Sequence, residues 1–128
     1  MKVVYTYAKT RMPAPCLPVS VISPTDGTTV ADELALVDSG ADRTILPQSI
    51  VDELRLTAFR WLRFEVGGGD VITLPIYRAV IAIQDFPPIA VNVAASDGEE
   101  NILLGRDVLN AYSILLSGPK LLIEITDE

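Results

Sequence analysis

The apolar residues of this chain come in short runs cut by Pro, Gly and Asp, a texture of strands joined by turns. Leu17, Val19 and Val21 alternate with Pro18, Ser20 and Ile22, and Pro24-Thr25-Asp26-Gly27 follows as a tight turn. A return strand over 33–37 runs directly into Asp38-Ser39-Gly40. Residues 61–66 alternate again, with Leu62, Phe64 and Val66 on one side, and Gly67-Gly68-Gly69-Asp70 turns the chain into a long apolar strand over 71–83. Asp85-Phe86-Pro87-Pro88 breaks it, and another strand is expected over 89–95. The chain is expected to finish as a hairpin, 113–116 with 121–125, turning at Ser117-Gly118-Pro119-Lys120.

Helical signals are brief. Ile45-Leu46-Pro47-Gln48-Ser49 is expected to open a short helix with Pro in its tolerated early position, Ile50, Val51 and Leu54 sharing one face, and an end near Leu56. A second short helix is expected through Val108, Leu109 and Tyr112, with Asp107 accepting from the free amides of its first turn. The fold class is therefore all-β, and with no linker or repeat the chain reads as one domain over 1–128.

Composition narrows the chemistry. The chain has no histidine, which excludes Ser-His-Asp and Cys-His catalysis and His-ligated zinc. The lone Cys16 can form neither an internal disulfide nor a thiolate metal site, so no metal is expected and a reducing, cytoplasmic setting is. A net charge of −7 argues against a nucleic-acid partner, which needs a basic stripe. Residues 1–10 hold no unbroken apolar segment, and no stretch approaches the roughly 18 apolar residues of a membrane span, so no membrane association is expected and the chain reads as soluble and unexported. Carboxylates, hydroxyls, backbone amides or a borrowed cofactor are left to do any chemistry, and for the carboxylate reading developed below no cofactor is expected.

One carboxylate stands in an unusual place. Ala35, Leu36 and Val37 lead an apolar strand straight into Asp38, where a charge costs free energy unless hydrogen bonds compensate it. Gly40 lets the backbone turn closely under that carboxylate and offers its amide, while the Ser39 hydroxyl can donate to a nearby carbonyl. Read alone, Asp-Ser-Gly is also an ordinary turn tripeptide. Its surroundings say more: Leu36-Val37-Asp38-Ser39-Gly40-Ala41-Asp42-Arg43-Thr44-Ile45-Leu46 resembles the active-site loop of the retropepsin-like aspartic proteases. Asn101-Ile102-Leu103-Leu104-Gly105-Arg106-Asp107 is similar to that family's second signature, and the Gly-rich turn at 66–70 falls between the two, where the family carries its flap.

The resemblance implies a retropepsin-like barrel, closed or partly open, with a flap hairpin and one or two short helices. It implies Asp38 as the catalytic carboxylate, Ser39 as the hydroxyl residue that locks two active-site loops together, and Gly40 lining the substrate channel. Ala41 and Asp42, with Val66, Gly67, Gly68 and Gly69 of the flap, are implied to contact a polypeptide substrate. Thr44, Leu104, Gly105, Arg106 and Asp107 are implied to support the site, Arg106 through a partly buried ion pair with Asp42. Arg106 and Asp107 can equally be a solvated helix start, and a Gly triplet is first of all a turn. Trp61 with Arg60 and Arg63 either frames the flap base or is a packed aromatic between two surface charges.

Aspartic proteolysis needs two carboxylates sharing one proton, and the sequence has one Asp-Ser-Gly. Counting therefore calls for a homodimer with one Asp38 from each copy. By resemblance the terminal strands would join the copies, Leu121-Leu122-Ile123-Glu124-Ile125 first among them, unless that segment is an internal strand of the chain's own sheet. Residues 1–12 are a second candidate, or a removable extension. The competing reading is a catalytically weak module that keeps the fold and binds or assembles extended peptides.

Overall fold

The computed structural model describes residues 1–6 and 11–128; the part of the 1–12 segment at residues 7–10, Tyr7 included, lies outside them. Ten strands and two short helices make up the described chain: β1 Lys2–Val4, β2 Cys16–Ile22, β3 Thr29–Val37, β4 Ile45–Pro47, α1 Gln48–Leu54, β5 Arg60–Val66, β6 Asp70–Ile83, β7 Ile89–Ser96, β8 Ile102–Leu104, α2 Arg106–Leu109, β9 Ser113–Ser117 and β10 Leu122–Thr126.

The hydrogen-bonded order is β2-β3-β8-β4-β7-β6-β5, and β2 also pairs with β6. That extra pairing closes β2, β3, β8, β4, β7 and β6 into a six-stranded barrel and leaves no edge on the ring. Leu17, Val19 and Val21 fill its interior from β2, Ile81 and Ile83 from β6, and Ile102 and Leu104 from β8. These are the residues that the alternating pattern assigns to the inner face. β6 is long because it does two jobs: residues 70–76 pair with β5, while residues 76–83 pair with β7 and β2. The β5–β6 hairpin therefore extends from the ring as a two-stranded ribbon with a 3-10 turn, Gly67–Gly69, at its tip.

Several boundaries differ from the sequence expectation: α2 stops at Leu109 and leaves Tyr112 in the bend before β9, α1 ends at Leu54 rather than near Leu56, and two further differences have a clear local reason. β3 begins at Thr29 rather than near residue 33, because the β2–β3 register shifts between Val19 and Val21 and Asp32 takes a φ of 57° there, so pairing resumes at Val21 with Val30. Ile45, Leu46 and Pro47 are strand rather than helix, pairing with Ala94, Ala95 and Ser96. A residue before proline is pushed toward extended backbone, and Pro47 itself sits at φ −57°, ψ 140°, so α1 starts only at Gln48. Its buried face is Ile50, Val51 and Leu54, as the spacing predicts.

A three-stranded sheet, ordered β1-β10-β9, packs on the barrel and adds the fully buried Ile123 and Ile125 to the core. β10 is its central strand, with Lys2, Val3 and Val4 on one edge and residues 113–117 on the other. Of the two readings of this segment, the internal strand is the one adopted.

Candidate active site

Asp38 sits where β3 leaves the barrel. β3 and β8 run parallel, with Val37 opposite Leu104, and the next bond of the ladder is the Asp38 N–H donating to the Leu104 carbonyl at 3.0 Å. The strand thus delivers the residue with its backbone already held. Its Oδ1 accepts from the Gly40 N–H at 3.2 Å, and the Ala41 N–H donates to the Asp38 carbonyl at 3.1 Å, closing the turn. Asp38 is partly buried, while Ser39 and Gly40 are exposed.

The segment after β8 straps this loop from the far side. The Arg106 N–H donates to the Ala41 carbonyl at 2.9 Å, and Arg106 Nη1 donates to the Ser39 carbonyl at 2.7 Å. Asp107 does not cap its own helix. Its carboxylate instead accepts from the Thr44 N–H at 3.1 and 3.0 Å and from the Thr44 hydroxyl at 2.7 Å. Thr44 Oγ1 accepts in turn from the Gly105 N–H at 3.1 Å, and the Thr44 carbonyl accepts from the Ala94 N–H. Thr44 is fully buried, so every polar group it carries needs a partner, and each has one.

Gly105 is required by proximity. A Cβ built on it would lie 2.6 Å from the Arg43 carbonyl carbon and 2.8 Å from its oxygen, which is backbone that cannot swing aside. The two loops cross at that point in contact. Arg43, which the sequence reading passed over, turns its Nη1 to the Asn92 carbonyl at 2.8 Å and ties the same crossing to β7. Nothing local marks Arg43 for this, since its acceptor is a main-chain oxygen 49 positions away.

The predicted Asp42–Arg106 ion pair does not form. Among the described residues the ion pair within 4 Å is Lys2–Glu124, and Asp42 lies exposed on the loop without a hydrogen-bonded partner. The guanidinium reaches past Asp42 to the Ser39 carbonyl because the crossing places α2 under residues 39–41. The structure therefore brings Asp38, Ser39, Gly40 and Ala41 together with Thr44, Leu104, Gly105, Arg106 and Asp107. Val66, Gly67, Gly68 and Gly69 stand apart at the exposed hairpin tip, with no hydrogen bond to the Asp38 loop among the described residues. Trp61 is 63% exposed on β5, so it is not a packed aromatic.

An aspartyl protease family model matches residues 19–108, a span that begins inside β2 and ends within α2. The chain belongs to the aspartyl protease family. No curated protein matches this chain at a significant level. Solved structures do. The EIAV protease, determined with an inhibitor bound, is 22% identical at a TM-score of 0.55, covering 78% of this chain and 88% of its own. A retropepsin-like aspartic protease from Rickettsia conorii is 11% identical at a TM-score of 0.62, covering 96% of this chain and 86% of its own. The retroviral protease-like domain of Ddi1 from Leishmania major is 16% identical at a TM-score of 0.54, covering 92% of each. The barrel of this chain is thus the retropepsin-like fold, and among its described residues no helix is long and apolar enough to cross a membrane.

Proposed function

We propose that this aspartyl protease is an endopeptidase acting through a dyad of Asp38 carboxylates, one from each copy in a homodimer. The observation that carries the reading is the placement of Asp38: an acidic side chain on a strand end, strapped from both sides, in a chain with a single Asp-Ser-Gly. One ionised carboxylate takes a proton from water as the water oxygen attacks the scissile carbonyl carbon. The protonated carboxyl of the other copy donates to the carbonyl oxygen. The tetrahedral intermediate then collapses, the C–N bond breaks, and the departing amine takes up a proton.

The remaining residues take the roles that the family resemblance implies. Ser39 joins the two loops across the two-fold axis, and Gly40, Ala41 and Asp42 line the channel. Val66, Gly67, Gly68 and Gly69 act as a flap over the bound chain, and the projecting, exposed tip with φ of 82° at both Gly68 and Gly69 supports this. Thr44, Leu104, Gly105, Arg106 and Asp107 hold the loop geometry.

β10 has both edges filled within its own chain, which leaves the outer edges of β1 and β9 for a partner copy. Leu115 and Leu116 on β9 are exposed and supply apolar area there. We take residues 1–128 as one domain, and the free, buried Cys16 supports a reducing, cytoplasmic setting.

A second reading, a peptide-binding module with little activity, is favoured by the outer edge of β5, which has no strand paired to it among the described residues and so suits strand addition. A mixed peptide pool incubated across acid pH with wild type and Asp38→Asn separates the two. Cleavage products made by wild type and absent from the variant are expected. Identical product sets, or no products from either, would overturn the enzyme reading.

A further inference from the structure

A cavity of about 270 Å³ lies away from the Asp38 loop, between the β2–β3 turn, the C-terminal end of α1 and the base of the β5–β6 hairpin. Leu54, Leu56 and Phe59 give it an apolar wall, and Arg55 and Arg78 bring two guanidinium groups to it. Among the described residues neither guanidinium donates a hydrogen bond or faces a carboxylate within 4 Å, although the chain carries 17 acidic residues against 10 basic ones. The one acid in the lining, Asp26, is engaged by the Thr28 N–H at 2.9 Å.

Both arginines are exposed; one is held by an aromatic contact, and the other projects from an unusual backbone position at the end of α1. Arg78 lies over the Phe59 ring at 4.4 Å from its centroid, a cation–π contact that uses the face of the ring and leaves the guanidinium N–H groups without a hydrogen-bonded partner among the described residues. Arg55 ends α1 in the left-handed conformation, φ 55° and ψ 39°, with its N–H donating to the Asp52 carbonyl. Glycine is the usual residue at such a helix end, because a side chain there is strained. A long basic side chain stands instead at a position where it lines the cavity.

We infer that this cavity is a second binding site, distinct from the Asp38 loop, that takes a small carboxylate with an apolar body. The planar fork of an arginine matches a carboxylate in two parallel hydrogen bonds, and the leucine and phenylalanine wall receives the apolar part. The volume lies just below the range of roughly 300–1,000 Å³ typical of drug-sized ligands, so the occupant is a fragment the size of one amino acid or short acid. A free amino-acid-like acid and the C-terminal carboxylate of a peptide share this chemistry. The cavity also borders the connection into β5, where the Phe59 N–H donates to the Ile76 carbonyl at 3.0 Å, so an occupant braces the base of the hairpin.

The test is titration of the full chain with N-acetylphenylalanine, followed by amide chemical shifts. Expected are saturable shifts clustered at residues 23–26 and 54–59, and binding at least tenfold weaker for N-acetylphenylalanine amide, which keeps the apolar body and loses the charge. Arg78→Gln and Arg55→Gly should each weaken binding at least tenfold. The Arg55→Gly protein relieves the left-handed strain and stays folded, so its loss of binding cannot come from unfolding. A dipeptide ending in phenylalanine distinguishes a peptide C-terminus from a free acid by binding as tightly as the acid or more weakly. Equal binding of acid and amide, retention of affinity in both variants, or shifts scattered away from the cavity would overturn the inference.

Discussion

Asp107 accepts from the backbone N–H of Thr44 through both carboxylate oxygens and from its hydroxyl at 2.7 Å, joining two segments 63 positions apart. The pair fastens the residue that follows the Asp38 loop to the first turn of α2, alongside the bonds from Arg106 to residues 39 and 41. Asp107→Ala removes the acceptor and leaves the buried N–H of Thr44 unpaired, at a cost of about 3 kcal/mol for a charged acceptor with a buried donor stranded. Urea unfolding should show this as a lowered midpoint at unchanged slope, and Thr44→Ser, which keeps the hydroxyl, should lose less than Thr44→Val.

Glycine has opposite consequences at two positions. At Gly105 the added methyl meets the Arg43 backbone at 2.6 Å, so Gly105→Ala should destabilise by about 2–3 kcal/mol through overpacking. At Gly67 nothing lies within 4 Å, and Gly67→Ala should stay within about 0.5 kcal/mol of wild type. Equal effects at the two sites in thermal unfolding would mean that the crossing is looser than described.

The family resemblance makes Arg106 half of a partly buried ion pair with Asp42, whose loss costs about 3 kcal/mol. Its contact is an exposed hydrogen bond from Nη1 to the Ser39 carbonyl, so Arg106→Ala should cost about 1 kcal/mol. A double-mutant cycle with Asp42→Ala should give a coupling below about 0.5 kcal/mol. A larger coupling would restore the pair.

Peptidase activity should pass through a maximum on the acid side. It falls when both carboxyls of a dyad are protonated, because no group is left to accept from water, and when both are ionised, because none is left to donate. An optimum above about pH 8 in a peptide assay is incompatible with a carboxylate dyad.

Cys16 is fully buried in β2, and burial pushes its thiol above the ordinary value. The native state therefore favours the neutral thiol: its contribution to stability is fully present below the ordinary thiol value and is lost as pH rises through the raised one. A disulfide reagent at mildly alkaline pH should leave the folded protein unmodified and label one thiol per chain once denaturant is added. Rapid labelling of the native protein would show that β2 opens.

How much was legible beforehand varies by element. β2, α1 and the β5–β6 hairpin follow from local periodicity, because alternation in a strand and 3.6-residue spacing in a helix are set by the residues themselves. The Gly40 amide at the Asp38 carboxylate was legible too, since donor and acceptor are two residues apart. The partners of Arg106 and Asp107 were not. Sequence offers Asp107 a nearby helix start, and the family resemblance offers Arg106 the distant Asp42; the fold instead supplies a buried Thr44 and the Ser39 carbonyl. Likewise Ile45 and Leu46 look like a helix start until Ala94 and Ala95 are placed beside them.

By itself the sequence determined a chain of short strands and turns, an acid at the end of an apolar strand, and a single copy of the Asp-Ser-Gly motif. Those are matters of pattern and count, and they survive any arrangement of the elements. Only the tertiary structure decided that β10 is enclosed by β1 and β9, and that Asp107 serves Thr44 rather than its own helix. The physical reason is the same in both cases. A strand edge or a buried N–H is satisfied by whichever partner packing brings within hydrogen-bond reach, and that partner can lie anywhere along the chain.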